Sequence, residues 1–193
     1  MICTEHLSCN YYPHFFHESL ANHYFTVLSQ HLNWQIEHYQ LFGKIISSPR
    51  LIAWHGEEGI RYRYSGIVHT ANPWTEDLLT IKSNLEKTTH YTFNSVLANR
   101  YRNGQDSMSW HTDNEKELGP QPVIASLSFG ATRIFHLRSI SKPRQYLKIA
   151  LEHGSLFIMH GMTQHHWQHA ILKSKKCHNA RINLTYRWIH TEF

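Results

Sequence analysis

Residues 123–138 read VIASLSFGATRIFHLR. Two runs rich in β-branched and aromatic residues flank Gly130-Ala131, so the stretch is expected to form two strands joined by a tight hairpin. The same texture extends to both sides. From about Phe93 onward, VLANRY, QYLKIAL, SLFIM, HHWQH and RINLTYRW bring the set to seven short strands, broken by Gly, Pro and Asn. With no helical periodicity between them, these strands predict an antiparallel sandwich or jelly roll.

The first half reads differently. Leu20, Tyr24, Leu28 and Leu32 recur every fourth residue behind Glu18, the stripe of an amphipathic helix from about His17 to Asn33. A second helix is expected from Thr75, whose hydroxyl can cap the first turn, with Glu76 and Asp77 at its positive dipole end. Leu78, Leu79, Ile81 and Leu85 would form its buried face. No repeat or Pro/Gly/Ser-rich linker divides the chain, so residues 1–193 read as one mainly β domain with flanking helices. About 1–90 would be the helical N-terminal part and about 91–193 the jelly-roll core.

Of the 193 residues 41% are hydrophobic and 17% charged, a balance that suits a packed core and excludes disorder as the ground state. A net charge of +5 favours a polyanionic partner. The three cysteines, Cys3, Cys9 and Cys177, include no Cys-x-x-Cys pair, which argues against a disulfide framework or a thiolate zinc site. No apolar run reaches the roughly 18 residues that span a bilayer, and the start has no basic stretch leading into an apolar one. The expectation is an intracellular protein, cytoplasmic in a bacterium or nuclear in a eukaryote, with no membrane partner and working as a monomer.

RINLTYRW alternates Ile182, Leu184, Tyr186 and Trp188 with Arg181, Asn183, Thr185 and Arg187. If the arginine face is solvated, this is an ordinary half-exposed strand. If it faces inward, two buried cations require an anionic ligand, because an unpaired buried charge costs several kcal/mol. A small dicarboxylate would satisfy both.

In WHTDNE, His111 and Asp113 stand two apart and project to one side of an extended segment, where they can share an ion. A third ligand is available in HHWQH, where alternation puts His165 and His169 on one face and His166 on the other. Two imidazoles and a carboxylate with open positions form the facial triad of non-haem iron oxygenases, although the same residues suit a catalytic zinc. With eighteen histidines in the chain, an isolated His-x-Asp is weak evidence. Its conjunction with a later strand histidine and two same-face arginines is stronger.

These residues resemble the AlkB family of iron and 2-oxoglutarate-dependent dioxygenases, which reverse alkylation damage on nucleic-acid bases. The matching blocks are PRLIAWHG, YRYSG, FNSVLANRYRNGQDSMSWHTDNE, PVIASLSFGATRIFHLR, HGSLFIM, HHWQH and RINLTYRW, ordered from about Pro49 to Trp188. The resemblance implies a double-stranded β-helix core under an N-terminal nucleotide-recognition lid. It makes His111, Asp113 and His169 the catalytic iron ligands, His169 being twelve positions before Arg181 as in close relatives. Asn99, Tyr101, Arg181, Asn183, Thr185 and Arg187 would bind 2-oxoglutarate, with Arg181 on the distal carboxylate.

For the substrate, the resemblance implies a lid of Tyr62, Tyr64 and Ser65, with Tyr64 and the His111 ring on the two sides of the base. Glu115 would stand near its exocyclic amine. LFGKIISSPR is similar to the hairpin of duplex-repair relatives, which would make Phe42 an intercalating wedge and Lys44 a phosphate contact. Asn114 departs from those relatives, which carry an acid there. The implied reaction uses Fe(II), 2-oxoglutarate and dioxygen to demethylate 1-methyladenine or 3-methylcytosine in DNA, releasing formaldehyde and succinate. RNA demethylation by the same chemistry and a non-catalytic, metal-containing jelly-roll binding module are the competing readings. His136, His153, His160, His165, His166 and His178 are expected at the surface or in packing roles.

Overall fold

Alternation and helix caps account for most elements of the computed structural model. It describes the backbone of residues 2–41, 44–64 and 67–190 and the side chains of 5–38, 46–60 and 70–190. Strands β1 (Ile2–Thr4) and β2 (Leu7–Tyr12) precede helix α1 (Glu18–His31). β3 (Gln35–Leu41) pairs with β4 (Lys44–Gly56), β5 (Arg61–Tyr64) pairs with β6 (Ile67–Thr70), and helix α2 (Glu76–Thr89) follows. Next come β7 (Ser95–Tyr101), β8 (Met108–His111), β9 (Ile124–Gly130), β10 (Arg133–Ser139), β11 (Tyr146–Leu151) and β12 (Ser155–His160). One helical turn, α3 (Thr163–His166), leads into β13 (Trp167–Ile171), and β14 (Arg181–Arg187) is last.

The large sheet runs β1-β2-β12-β9-β14-β7-β4-β3 and a smaller one β11-β10-β13-β8, with β5-β6 apart. Two facing antiparallel sheets form the expected jelly-roll core. Central strands β9, β12 and β14 are buried on both faces. On one face Leu127, Phe129, Leu184 and Tyr186 pack against Ala21, Tyr24 and Leu28 of α1 and Leu78, Ile81 and Leu85 of α2. On the other, Ile124, Phe157 and Met159 meet Phe135, Leu137 and Trp167 of the smaller sheet. Each such side chain contributes about 1.5–3 kcal/mol when fully buried.

Both predicted helices form close to their expected starts. The His17 side chain accepts from the Leu20 N–H at 3.3 Å, and Thr75 Oγ1 accepts from the Leu78 N–H at 3.3 Å, each satisfying an otherwise orphaned donor. Leu79 is corrected: it is 46% exposed, because one residue turns the helix by about 100° and carries it off the Leu78–Ile81–Leu85 stripe.

Three further expectations change. Gly130-Ala131 is not a hairpin, since β9 lies in the large sheet and β10 in the small one. The chain turns a corner there, with Gly130 at φ +87° and the Ala131 N–H bonded to the Ala180 carbonyl at 2.9 Å. HHWQH is not one strand: His165 and His166 end α3, and only Trp167 onward is extended. The first half also contributes sheet as well as helix, because β2 pairs with β12 and β4 extends the large sheet beyond β7. Ser47, Ser48, Pro49 and Arg50 interrupt the apolar pattern of β4, which hides it from a reading by hydrophobic alternation. Among the described residues, no helix is long and apolar enough to cross a membrane.

Candidate metal centre and active-site cavities

β8 is the edge strand of the small sheet, and its last residue, His111, pairs in register with His169 of β13. Directly opposed residues share a face, so both imidazoles point into the space between the sheets. Asp113 lies two residues further on and returns to the same side. The ligand atoms of the three side chains lie within 4.8 Å of one another. His111 Nε2 is 3.8 Å from Asp113 Oδ1, and the two ring centroids are 4.1 Å apart. Among the described residues this is the one His/Cys/Asp/Glu group of three placed to hold an ion.

Protonation states favour ligation. His111 Nδ1 lies 2.8 Å from the Ser109 carbonyl oxygen, which can only accept. In the neutral ring Nδ1 therefore carries the proton and Nε2 keeps a lone pair for a metal. Burial, reinforced by repulsion from His111, pushes the His169 pKa down to about 3, so that ring is neutral at physiological pH. For Asp113, burial pushes the pKa up. Arg187, His169 and His111 together outweigh that effect and hold the carboxyl well below the usual carboxylate range. Arg187 Nη2 donates to Asp113 Oδ2 at 2.9 Å, and the Asp113 N–H donates to Gln164 Oε1 at 2.9 Å. Two imidazoles and one carboxylate, with His169 Nδ1 buried and unpartnered, fit ferrous iron with positions left for co-substrate and oxygen.

A cavity of about 60 Å³ runs from this triad along the inward face of β14. The solvated alternative for that strand is thus excluded: Arg181 is 1% exposed, while Ile182, Leu184 and Tyr186 on the opposite face are buried beneath the helices. Trp188 leaves the pattern, lying past the strand end and 43% exposed. Arg181 Nη2 donates to Ser128 Oγ at 2.9 Å, but its Nε and Nη1 are buried with no hydrogen-bond partner. Burial lowers its pKa to about 10, with the neighbouring Tyr101 opposing, so the guanidinium is cationic at neutral pH. Unmet donors on a buried cation call for a carboxylate, which accepts parallel N–H bonds from the guanidinium fork.

The other expected co-substrate residues meet in the same cavity. Asn99 is opposite Asn183 in register and donates to its Oδ1 at 3.3 Å; Thr185 Oγ1 donates to the same oxygen at 3.0 Å. Tyr101 is opposite Arg181, whose guanidinium carbon lies 5.3 Å from its ring centroid. Arg50, Ser126 and Ser128 also line or support the site and were absent from the expected set. Arg50 Nε donates to Asn99 Oδ1 at 2.7 Å, and Asn183 Nδ2 donates to Ser126 Oγ at 2.8 Å. The serines were findable in principle, because Ser126 and Ser128 sit opposite Thr185 and Asn183.

A larger cavity, about 180 Å³, shares His111, Asp113 and Arg187 with the first and is also lined by Glu37, Trp54 and Glu115. Glu115 Oε2 is buried without a partner, while Asn114 is exposed. Glu37 and Trp54 are further residues that the sequence did not single out. Phe42 and Ser65 lie outside the described residues, as do the side chains of Lys44, Tyr62 and Tyr64, although the backbone of Lys44 is in β4 and that of both tyrosines in β5. His165 is directed to the Pro120 carbonyl and His166 stacks on His6, so neither competes with His169 for the metal.

Residues 8–187 match the model of the 2OG-Fe(II) oxygenase superfamily. The chain belongs to that superfamily. Its AlkB-like character is evident in two relatives. It is 46% identical over 153 residues to the Alpha-ketoglutarate-dependent dioxygenase alkB homolog 3 of Mus musculus, covering 75% of this chain and 53% of that protein. It is 37% identical over 198 residues to the DNA oxidative demethylase ALKBH2 of Homo sapiens, covering 97% of this chain and 76% of that protein. The chain spans about half the length of the first of these relatives. The solved structure of OsALKBH1 shares the fold, with a TM-score of 0.69 over 97% of this chain and 99% of that one, at 13% identity. The superfamily uses Fe(II) and 2-oxoglutarate, and the His111-Asp113-His169 group has the ligand chemistry that suits the iron.

Proposed function

We propose that the protein is an oxidative demethylase of N-alkylated DNA bases, with 1-methyladenine and 3-methylcytosine as substrates. The observation that carries this reading is the pair of adjoining cavities meeting at His111 and Asp113. One ends in a buried guanidinium with two donors unmet, and the other contains an unsatisfied buried carboxylate oxygen. When bound, iron supplies the coupling of 2-oxoglutarate decarboxylation to transfer of one oxygen atom from dioxygen onto the N-methyl carbon, so that formaldehyde, succinate, carbon dioxide and the unmodified base result.

The chain's own residues set the geometry. Arg181 holds the distal carboxylate and thereby orients the 2-oxo acid end toward the triad. Arg187 fixes Asp113 through Oδ2 and leaves Oδ1 toward His111. Glu115 faces the substrate. Both proposed lesions carry a positive charge that the repaired base lacks, so a carboxylate in the cavity favours substrate over product. The ALKBH2 relative is named as a DNA oxidative demethylase, which supports extending that substrate class to this chain.

The test is the mass of a 3-methylcytosine DNA oligonucleotide after aerobic incubation with protein, ferrous iron and 2-oxoglutarate. Loss of one methylene, dependent on each addition and absent in His111→Ala, is the expected result. An unchanged oligonucleotide with succinate formed would refute the DNA substrate and direct the assay to methylated RNA. No succinate under any condition would refute the enzyme and favour a binding module.

A further inference from the structure

The outer face of the small sheet carries a second cluster that the chemistry above does not use. His111 and His169 point inward, so their strand neighbours Trp110 and Gln168 point outward. Arg138 is opposite both Tyr146 and Gln168 in register, and Trp110 of the edge strand joins this row through its ring contact with Arg138. Arg138 Nη2 donates to Gln168 Oε1 at 2.9 Å, and its guanidinium carbon lies 4.3 Å from the Trp110 ring centroid. The Trp110 and Tyr146 centroids are 6.0 Å apart, and Lys148 Nζ is 5.5 Å from the Tyr146 ring.

Charge on this face has one sign. None of the four strands contains Asp or Glu, and residues 133–151 hold five Lys/Arg and no acid, equal to the net charge of the whole chain. Arg133 is buried and bonded to backbone carbonyls, and Lys142 is paired with Glu5, which leaves Arg138, Arg144 and Lys148 to set the sign of the face. An ordinary solvated sheet face mixes both signs. Aromatic rings interleaved with cations, unopposed by acids, match the chemistry of unpaired bases joined by phosphates. β8 connects the two sites. It is the edge strand, its Met108 and His111 line the larger cavity, and Trp110 between them stands on the outer side.

We infer that this face is a stacking track for single-stranded DNA flanking the base in the cavity, a reading that rests on the nucleic-acid substrate proposed above. Bases stack along Tyr146 and the Arg138–Trp110 pair while Lys148 and Arg144 meet phosphates.

The experiment is fluorescence anisotropy of an unmodified, labelled dT 15-mer with the full chain. Tyr146→Ala is expected to bind roughly tenfold more weakly, with Tyr146→Phe restoring affinity. Lys148→Ala should lower the slope of log affinity against log salt by about 0.7, the loss of one phosphate contact to a single strand. Affinity for a 15-base-pair duplex should not change in Tyr146→Ala. Unchanged dT affinity, or equal weakening of duplex and single strand, overturns the track. Succinate release without DNA reports an intact iron site in each variant. If Tyr146→Ala fails that control, Lys148→Glu carries the same tenfold expectation, and no loss there overturns the proposal. Because dT binding requires no turnover, an inactive wild type would refute the reaction above and leave the track standing.

Discussion

Arg187 Nη2 donates to Asp113 Oδ2 at 2.9 Å and so fastens the end of the last strand to the carboxylate of the metal triad. Two effects oppose each other in this pair. The guanidinium repels a divalent cation, and it also fixes the carboxylate rotamer. Orientation dominates where an outer group is hydrogen-bonded to a ligand, so Arg187→Ala should weaken Co(II) affinity roughly 10- to 100-fold, measured by ligand-field absorption titration. Arg187→Lys should recover only part of it, because an ammonium lacks the planar fork. Tighter binding in Arg187→Ala would show that repulsion is the larger effect.

Arg181 makes the opposite kind of prediction. Its buried charge is only partly satisfied within the fold, and the proposed function gives it the distal carboxylate of 2-oxoglutarate. Arg181→Met should raise the apparent 2-oxoglutarate KM at least a hundredfold while raising the melting temperature of the ligand-free protein. Replacing a buried charge by an apolar side chain is worth about 1–4 kcal/mol. Parallel calorimetry and succinate assays read both effects. A variant that loses stability along with co-substrate affinity would mean that Ser128 and Tyr101 already compensate the charge.

In the proposed reaction Glu115, which lines the larger cavity, favours the cationic lesion over the repaired base. Glu115→Gln preserves shape and removes the negative charge, so kcat/KM on a 3-methylcytosine oligonucleotide should fall roughly 10- to 100-fold, the loss of a hydrogen bond to a charged group. Decarboxylation of 2-oxoglutarate without DNA should be unchanged. An equal fall in both rates would place Glu115 in support of the metal instead.

Stability should fall with acid through buried histidines. Burial pushes His55 below the ordinary value of about 6.5, and its hydrogen bond to the Pro73 carbonyl only partly opposes this. The folded state therefore holds the ring neutral while the unfolded chain takes up a proton. The contribution of the neutral ring is complete above about pH 6.5 and is lost as pH falls from there toward the lower folded value. Melting temperatures of the metal-free protein should drop between pH 7 and pH 5, and His55→Asn should flatten that slope. An unaltered slope would assign the effect to the similarly depressed His153 and His169.

The chemistry was more legible than the topology. Alternation in RINLTYRW put Arg181, Asn183 and Thr185 on one face, and only the packing of helices against Ile182, Leu184 and Tyr186 could say that this face is enclosed. The choice between His165 and His169 was closed to alternation because α3 replaces the expected strand two residues before β13 begins to pair. Pairing partners distant in sequence, such as β2 with β12, leave no local signature. Arg50 was missed for a related reason: its partner Asn99 lies on another strand, and a single arginine in a mixed run gives no period to read.

The corner at Gly130 bears on how the two halves of the centre are kept at a working distance. Gly130 is in register with Arg181, and a Cβ added to it would meet the Ala180 carbonyl oxygen at 2.5 Å. Just beyond this corner the chain passes into β10, which pairs with the His169 strand. A side chain at this point would act as a shim, prying the carboxylate anchor away from the metal without touching either. The spacing between Arg181 and the triad thus depends on a backbone turn that lines neither cavity.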